Sequence, residues 1–246
     1  MNPVDDDQPG GYGSTTGEKG PQVRRDRYFD TLRAVALVRV VVYHMFPLPW
    51  LAMVFPSMGV MFALGGSLMA TSMRRSTEQA ITGRLRRLLP ALWVMGVLLI
   101  PVMLVAGWQD RPQWPALLLW LVPIVEPPTA GWAEPVTGVL WYLVAYLWLV
   151  LLSPLLLRCY QRARLMTVGT PIAGLATLEN APPILGEALG SAATDVLTFM
   201  SCWVLGFAHR GGDLKRIHLG VLIPLAATLV GAGLAWEITH PGDDGV

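Results

Sequence analysis

Two arginines and a histidine lie inside one apolar stretch near the start of the chain. The run TLRAVALVRVVVYHM, residues 31–45, carries Arg33, Arg39 and His44 among aliphatic side chains. Charged groups inside a membrane helix are energetically expensive, and they mark ion pairs, substrate paths or catalytic groups. Histidine exchanges protons near neutral pH, and arginine binds anions in a two-pronged way. These residue types indicate a fixed cation and a titratable imidazole placed along one membrane helix.

Arg33 and His44 fall on one face of the helix that this stretch predicts. Residues eleven positions apart differ by about 20° in azimuth and by about 16 Å along the axis. The two side chains therefore follow one path across part of the membrane without touching. Asp30 lies near the same face, about 21 Å from His44 along the axis, and Arg39 lies on a different face. The structural alternatives are a snorkelling Arg33 and a His44 that hydrogen-bonds a neighbouring helix.

The composition indicates a membrane protein. Of the 246 residues, 53% are hydrophobic and only 14% are charged, whereas a soluble domain has roughly a quarter charged residues. A shorter apolar run, WPALLLWLVPIV at 114–125, is flanked by prolines and falls below the roughly 20 residues needed to cross a bilayer. We predict an all-α, polytopic membrane helical bundle, with about seven transmembrane helices plus one short re-entrant or interfacial segment. The predicted crossings are 29–46, 51–73, 88–107, 138–157, 165–178, 191–208 and 217–236.

Arginine and lysine predict the orientation and the domain limits. They cluster before the first crossing, between the second and third, after the fourth and near residues 210–216. If 114–125 does not cross, every cluster lies on one side, which the positive-inside rule assigns to the cytoplasm. The N-terminus is then cytoplasmic. Residues 1–23 are predicted to form a disordered tail, 24–240 the transmembrane domain and 241–246 a short polar tail.

Four short motifs follow one another along the chain. The first is Arg33, ten residues and His44, within RYFDTLRAVALVRVVVYH; the second is the glycine-containing run GVMFALGGSLMA. The third is an R-x-x-R pair, Arg84 and Arg87, in GRLRRLLPALW. The fourth, VLWYLVAYLWLVLLSPLL, has a Leu-Trp-aromatic-Leu start and ends with proline. In this order, over roughly residues 24–210, they resemble the acyltransferase 3 family of integral membrane acyltransferases.

The chain departs from the family pattern in its length and at two motif positions. Members usually have about ten spans, so a chain with about seven is expected to be a shortened member without the last spans. Many members carry a glutamate just after the Leu-Trp-aromatic-Leu motif, where this chain has Ala145 and Tyr146. Gly65 and Gly66 occupy a place where many members have Ser-Gly.

The resemblance implies transfer of an acyl group, often acetyl, from cytoplasmic acyl-CoA to a hydroxyl or amine of a sugar, lipid or cell-envelope acceptor. His44 is then the base or a transient acyl carrier, and Arg33 positions the thioester or stabilises charge. Arg84 and Arg87 are expected to bind acyl-CoA at the start of their helix, where the amide groups favour anions. The supporting residues are predicted to be Asp30, Arg39, Ser67, Trp141, Tyr142 and Tyr146.

The expected setting is the plasma (bacterial inner) membrane, with membrane lipid, acyl-CoA and the acceptor as partners. We expect no permanently bound cofactor, no metal and no nucleic acid, and the oligomeric state stays open. One alternative is a transporter or export component, because charges within spans also mark solute paths. Another is a non-catalytic membrane scaffold derived from the family. The arginines at 84–87 have a structural alternative as a positive-inside anchor.

Overall fold

The computed structural model describes residues 57–109, 111–180 and 186–213, together with isolated helical positions within 31–38 and 220–231. In these residues every regular element is helical, which confirms the all-α prediction. Apart from the isolated positions, the predicted crossings 29–46 and 217–236 lie outside the described residues, as do both predicted tails. The helices are α1 (Ser57–Met73), α2 (Thr77–Ala106), α3 (Glu134–Thr137), α4 (Leu140–Arg162), α5 (Arg164–Asn180) and α6 (Glu187–Gly211), with 3₁₀ helices at Trp114–Trp120 and Gly131–Ala133.

Three helices of the described part are long and apolar enough to cross a membrane, namely α2, α4 and α6. α1 is also apolar but is shorter. α5 has 17 residues, and a helix of that length extends about 26 Å, less than the roughly 30 Å of the hydrocarbon core. The chain is therefore a helical membrane protein, while the total of seven crossings stays a prediction.

α2 starts well before the apolar segment that predicted it. Ser76 is extended (φ −160°, ψ 122°) and caps the helix, because its side chain accepts a hydrogen bond from the amide of Gln79. Polar residues that follow this cap continue the helix into the apolar core of the segment. Arg84 and Arg87 consequently lie about two and three turns into α2. The prediction that they open the helix was wrong, because a cap and not the first apolar residue sets the start.

α1 and α4 run in the same direction, and α2 runs opposite to them. The ring of Phe62 lies 5.0 Å from that of Tyr142, and one turn later Gly65 lies against the ring of Tyr146. A tight turn, in which the Arg75 amide donates to a carbonyl of α1, reverses the chain into α2. The basic turn between α1 and α2 therefore lies at the end of the bundle where α4 finishes.

α4, α5 and α6 are fastened together at this same end. The indole of Trp203 donates to Ser153 at 3.0 Å, and nearer the end Tyr160 donates to Asp213 at 2.9 Å. These two contacts require α4 and α6 to run in parallel. Arg164, the first residue of α5, donates to the other oxygen of the Asp213 carboxylate at 2.8 Å. In the described part, the basic residues of the α1–α2 turn, of the α4–α5 junction and of the end of α6 thus share one end of the bundle, as the charge pattern predicted.

The segment between α2 and α3 leaves and returns at the opposite end. Its 3₁₀ helix Trp114–Trp120 has seven residues, or roughly 14 Å, which is too short to cross a membrane. Trp93 of α2 donates to the carbonyl of Leu121 at 3.0 Å, and Trp132 donates to the carbonyl of Gly107 at 3.4 Å. Indole N–H groups thus donate to backbone carbonyls that accept no hydrogen bond within a helix. This geometry agrees with a re-entrant or interfacial segment at 114–125.

The core lies between α1, α4 and α6, where two glycines permit very close approach. A Cβ atom on Gly66 would overlap the backbone carbonyl of Trp203, and one on Gly206 would overlap that of Ala63. Small residues at such contacts let helix backbones pack without intervening side chains. This interface fixes the position of α1, which lines a cavity between α1, α2 and α4.

Candidate functional site

A cavity of about 740 Å³ opens between α1, α2 and α4. It extends from the basic turn that joins α1 to α2 toward the middle of the bundle. α2 presents one face to it, through side chains at helical spacing that include Gln79, Arg84 and Arg87. Arg86 is exposed and is absent from the lining of the cavity. Only part of the arginine cluster in α2 therefore faces this space.

The lining changes from polar to apolar along the cavity. Ser72, Arg75 and Ser76 line it at the α1–α2 turn, whereas Met61 and Leu143 line it farther into the bundle. α1 and α2 are antiparallel neighbours, so residues far from the turn in both helices lie deeper. The arrangement suits a ligand with a charged head and a less polar body.

The described lining of the cavity is positively charged and has no carboxylate. Arg75, Arg84 and Arg87 line it, and no aspartate or glutamate occurs among its lining residues in the described part of the chain. The ion pair that the described residues form, between Arg164 and Asp213, lies elsewhere in the bundle. Guanidinium groups stay charged at all physiological pH values and match the geometry of phosphate and carboxylate. The cavity can therefore bind an anion.

One wall of the cavity is aromatic and holds Arg84. The Nε atom of Arg84 donates to the hydroxyl of Tyr146 at 3.1 Å. Tyr142 lies one turn away on α4, and its ring centroid is 6.1 Å from that of Tyr146. Behind these rings lies Phe62, which is fully buried. Phe199 of α6 stacks on Phe62 with ring centroids 4.5 Å apart, so aromatic side chains of three helices support this wall.

Four of the residues predicted from the sequence come together here, namely Arg84, Arg87, Tyr142 and Tyr146. The structure places two other predicted supporting residues away from the cavity. Ser67 is buried beside the backbone of α6, and Trp141 stacks on Phe199 of α6 with ring centroids 5.6 Å apart. The predicted catalytic pair, Arg33 and His44, lies outside the described residues, as do Asp30 and Arg39.

Sequence reasoning missed Arg75 and Gln79 as lining residues. Gln79 precedes Gly83 and Arg87 at intervals of four on one helix face, and that spacing was readable once the helix was known to begin at Thr77. Arg75 lies in the turn before α2, where it was counted only as part of the basic cluster. Arg75 lines the cavity because the turn packs tightly, and no local sequence pattern predicts that packing.

The described lining of the cavity offers no obvious proton acceptor. This described lining contains no histidine, cysteine or carboxylate. Hydroxyl groups are present, but those of Thr71 and Ser72 donate to carbonyls one turn back in α1. The cavity can therefore hold and orient an anionic, partly apolar molecule, and a general base for chemistry there has to come from outside this lining.

Comparison with known proteins identifies a matching family model. The sequence model of the acyltransferase 3 family, described as an acyltransferase domain, matches residues 26–244. The match continues past residue 210, where the motif resemblance was expected to end, and includes α1 through α6. No curated protein matches the chain, and no solved structure matches it.

Proposed function

Because the chain belongs to the acyltransferase 3 family of membrane acyltransferases, we propose that it transfers an acyl group from acyl-CoA to an acceptor of the cell envelope. The acyl group is acetyl in the simplest form of the proposal. The acceptor is a hydroxyl or amine of a sugar, a lipid or another envelope molecule. The reaction takes place in the plasma (bacterial inner) membrane, with the N-terminus and the basic end of the bundle in the cytoplasm.

The observation that carries the proposal is the positive cavity at the basic end. The CoA part of the donor bears several phosphate charges and is cytoplasmic, so it reaches the bundle from this side. Arg75, Arg84 and Arg87 offer three guanidinium groups there without a neighbouring carboxylate in the described lining. Charge-assisted, two-pronged contacts to phosphate are among the strongest hydrogen bonds in proteins. The apolar inner part leaves room for the thioester and its acyl group.

His44 and Arg33 are proposed to carry out the chemistry. The acceptor oxygen or nitrogen attacks the thioester carbonyl while His44 takes the acceptor's proton. Arg33, about 16 Å away along the same helix, positions the donor at the cytoplasmic end. The C–S bond then breaks, the new C–O or C–N bond remains, and CoA leaves as a thiolate that takes up a proton. In this proposal the two residues lie on one helix face that continues from the cytoplasmic end toward the acceptor.

Donor binding by matched arginine variants tests this proposal. Arg84→Ala and Arg87→Ala each remove a charge from the cavity, whereas Arg86→Ala removes the same charge beside it. We expect the first two to weaken acetyl-CoA binding roughly 10-fold or more, because a charge-assisted contact is lost. Arg86→Ala should bind as the wild type does. The measurement is the Kd for acetyl-CoA of purified protein in nanodiscs.

Two outcomes would contradict the proposal. If all three variants bind acetyl-CoA as tightly as the wild type does, the arginines serve only as a topological anchor. If the wild type folds and binds no CoA ester at all, a transporter or a non-catalytic scaffold is the better account, and counterflow of a solute without CoA would favour the transporter.

A further inference from the structure

Arg84 is held by one specific hydrogen bond. Its Nε atom donates to the Tyr146 hydroxyl at 3.1 Å, across 62 residues of sequence. Among the described residues it makes no other hydrogen bond or ion pair. A guanidinium has five N–H donors, so this contact uses one and leaves four on the two terminal nitrogens. Those four form the fork that binds phosphate in a two-pronged way.

Tyr146 is itself fixed in place from behind. Its ring meets that of Trp203 edge-on, with centroids 5.3 Å apart and an interplanar angle of 81°. Trp203 is fully buried, and its indole N–H donates to Ser153. Gly65 packs closely against both rings, because a Cβ atom there would lie 3.2 Å from the ring of Tyr146 and 2.7 Å from that of Trp203. The phenol thus has little freedom to turn away from Arg84.

The phenol orients Arg84 without neutralising it. A carboxylate at the same place would hold the guanidinium equally firmly, but it would also cancel the charge that attracts an anion. A neutral hydroxyl leaves the full positive charge for the ligand. Fixing a flexible side chain before binding also reduces the conformational entropy that binding would otherwise remove.

We infer that Tyr146 is a positioning residue for the donor: it holds Arg84 so that its two terminal nitrogens receive a phosphate of acyl-CoA. The inference rests on the proposed function, since it names the residue that orients one of the proposed phosphate ligands. Tyr146 itself need not contact the donor. Its contribution depends on Arg84 being present.

A double-mutant cycle tests this dependence. Tyr146→Phe removes the hydroxyl but keeps the ring that packs on Trp203. We expect roughly a 10-fold weaker Kd for acetyl-CoA, because an oriented charged contact is lost. In the Arg84→Ala background the same substitution should have no further effect. Tyr160→Phe is the matched control, since it also removes a bonded hydroxyl from α4 but lies outside the cavity.

The kinetic readout separates positioning from a general loss of structure. With Tyr146→Phe, the KM for acetyl-CoA should rise while the KM for the acceptor and kcat stay within about two-fold of the wild type. Thermal unfolding in the same nanodiscs verifies that the variant is folded.

Three results would overturn the inference. They are wild-type donor affinity in Tyr146→Phe, an equal loss in Tyr160→Phe, and additive losses in the double variant. If the wild type binds acetyl-CoA, any of them removes the role of Tyr146 alone. A wild type that binds no acetyl-CoA removes the proposed function and this inference together.

Discussion

Arg84 shows which features of the site can be predicted from residue type and spacing and which depend on helix packing. Its type and its spacing from Arg87 predicted an anion-binding pair, and the structure places both in one positive cavity. Its hydrogen-bond partner could not be predicted from the sequence, because Tyr146 is 62 residues away and the contact depends on how α2 packs against α4. The sequence predicts Tyr146 only as a supporting residue, without a partner. Local spacing predicts neighbours within a helix, and only packing decides neighbours between helices.

Glu126 gives a prediction for the pH dependence of stability. It lies in the loop before α3 with an exposed side chain, but partial burial of the carboxyl raises its pKa and the nearby negative charge of Asp195 raises it further. A carboxyl with a raised pKa in the folded state favours folding when protonated. This contribution to stability is present at low pH and is lost as the pH rises through the raised pKa.

Glu126→Gln should therefore raise the thermal stability at neutral pH, because the amide is neutral at every pH. At a pH below the ordinary range of glutamate, variant and wild type should unfold at the same temperature. Thermal unfolding in detergent between about pH 3 and pH 8 measures the difference. Glu187→Gln, an exposed change in the first turn of α6, serves as the control and should not stabilise. A neutral-pH stability unchanged by Glu126→Gln would contradict the account.

At the scale of helices, hydrophobic periodicity predicted the central part of each helix but not where the helix begins and ends. The predicted segment 138–157 corresponds to α4, and 191–208 corresponds to α6, yet both helices continue past the apolar run. The reason is that polar residues at a basic or capped end remain good helix formers in water. The start of α2 at Thr77 is the largest difference, because a Ser76 cap adds turns that no apolar residue marks.

The contact between α1 and α6 yields a prediction for two glycines of the same helix. A side chain at position 206 would meet the backbone of α1, and backbone cannot move aside as a side chain can. Gly206→Ala should therefore destabilise the protein by about 3 kcal/mol or more. At Gly190, near the other end of α6, nothing lies within 4 Å of an added Cβ. Gly190→Ala should be neutral or stabilising by roughly 0.5–1 kcal/mol.

The free energy of unfolding in mixed micelles, together with the yield of monodisperse protein, measures both variants. Equal stability of the two would mean that α1 and α6 do not pack as closely as the glycines indicate. The pair is informative because both substitutions are identical in chemistry and differ only in their surroundings.

For the whole molecule, the distribution of charge was the most useful signal. Arginine clusters predicted that several helix junctions share one side, and the Asp213 contacts bring the ends of α4, α5 and α6 together there. The cavity could not be predicted in the same way, because it exists only where three helices leave a gap. The motifs predicted the family correctly, since each motif reports a local constraint and does not require knowledge of the packing.

The most direct test of the account is transfer of labelled acetyl from acetyl-CoA to envelope material by membranes that contain the protein. The wild type and His209→Ala, a change at the exposed end of α6, should transfer label at similar rates. Correctly inserted His44→Ala should lose transfer by roughly 100-fold or more, as expected when a proton acceptor is removed. Wild-type transfer by His44→Ala would contradict the proposed chemistry.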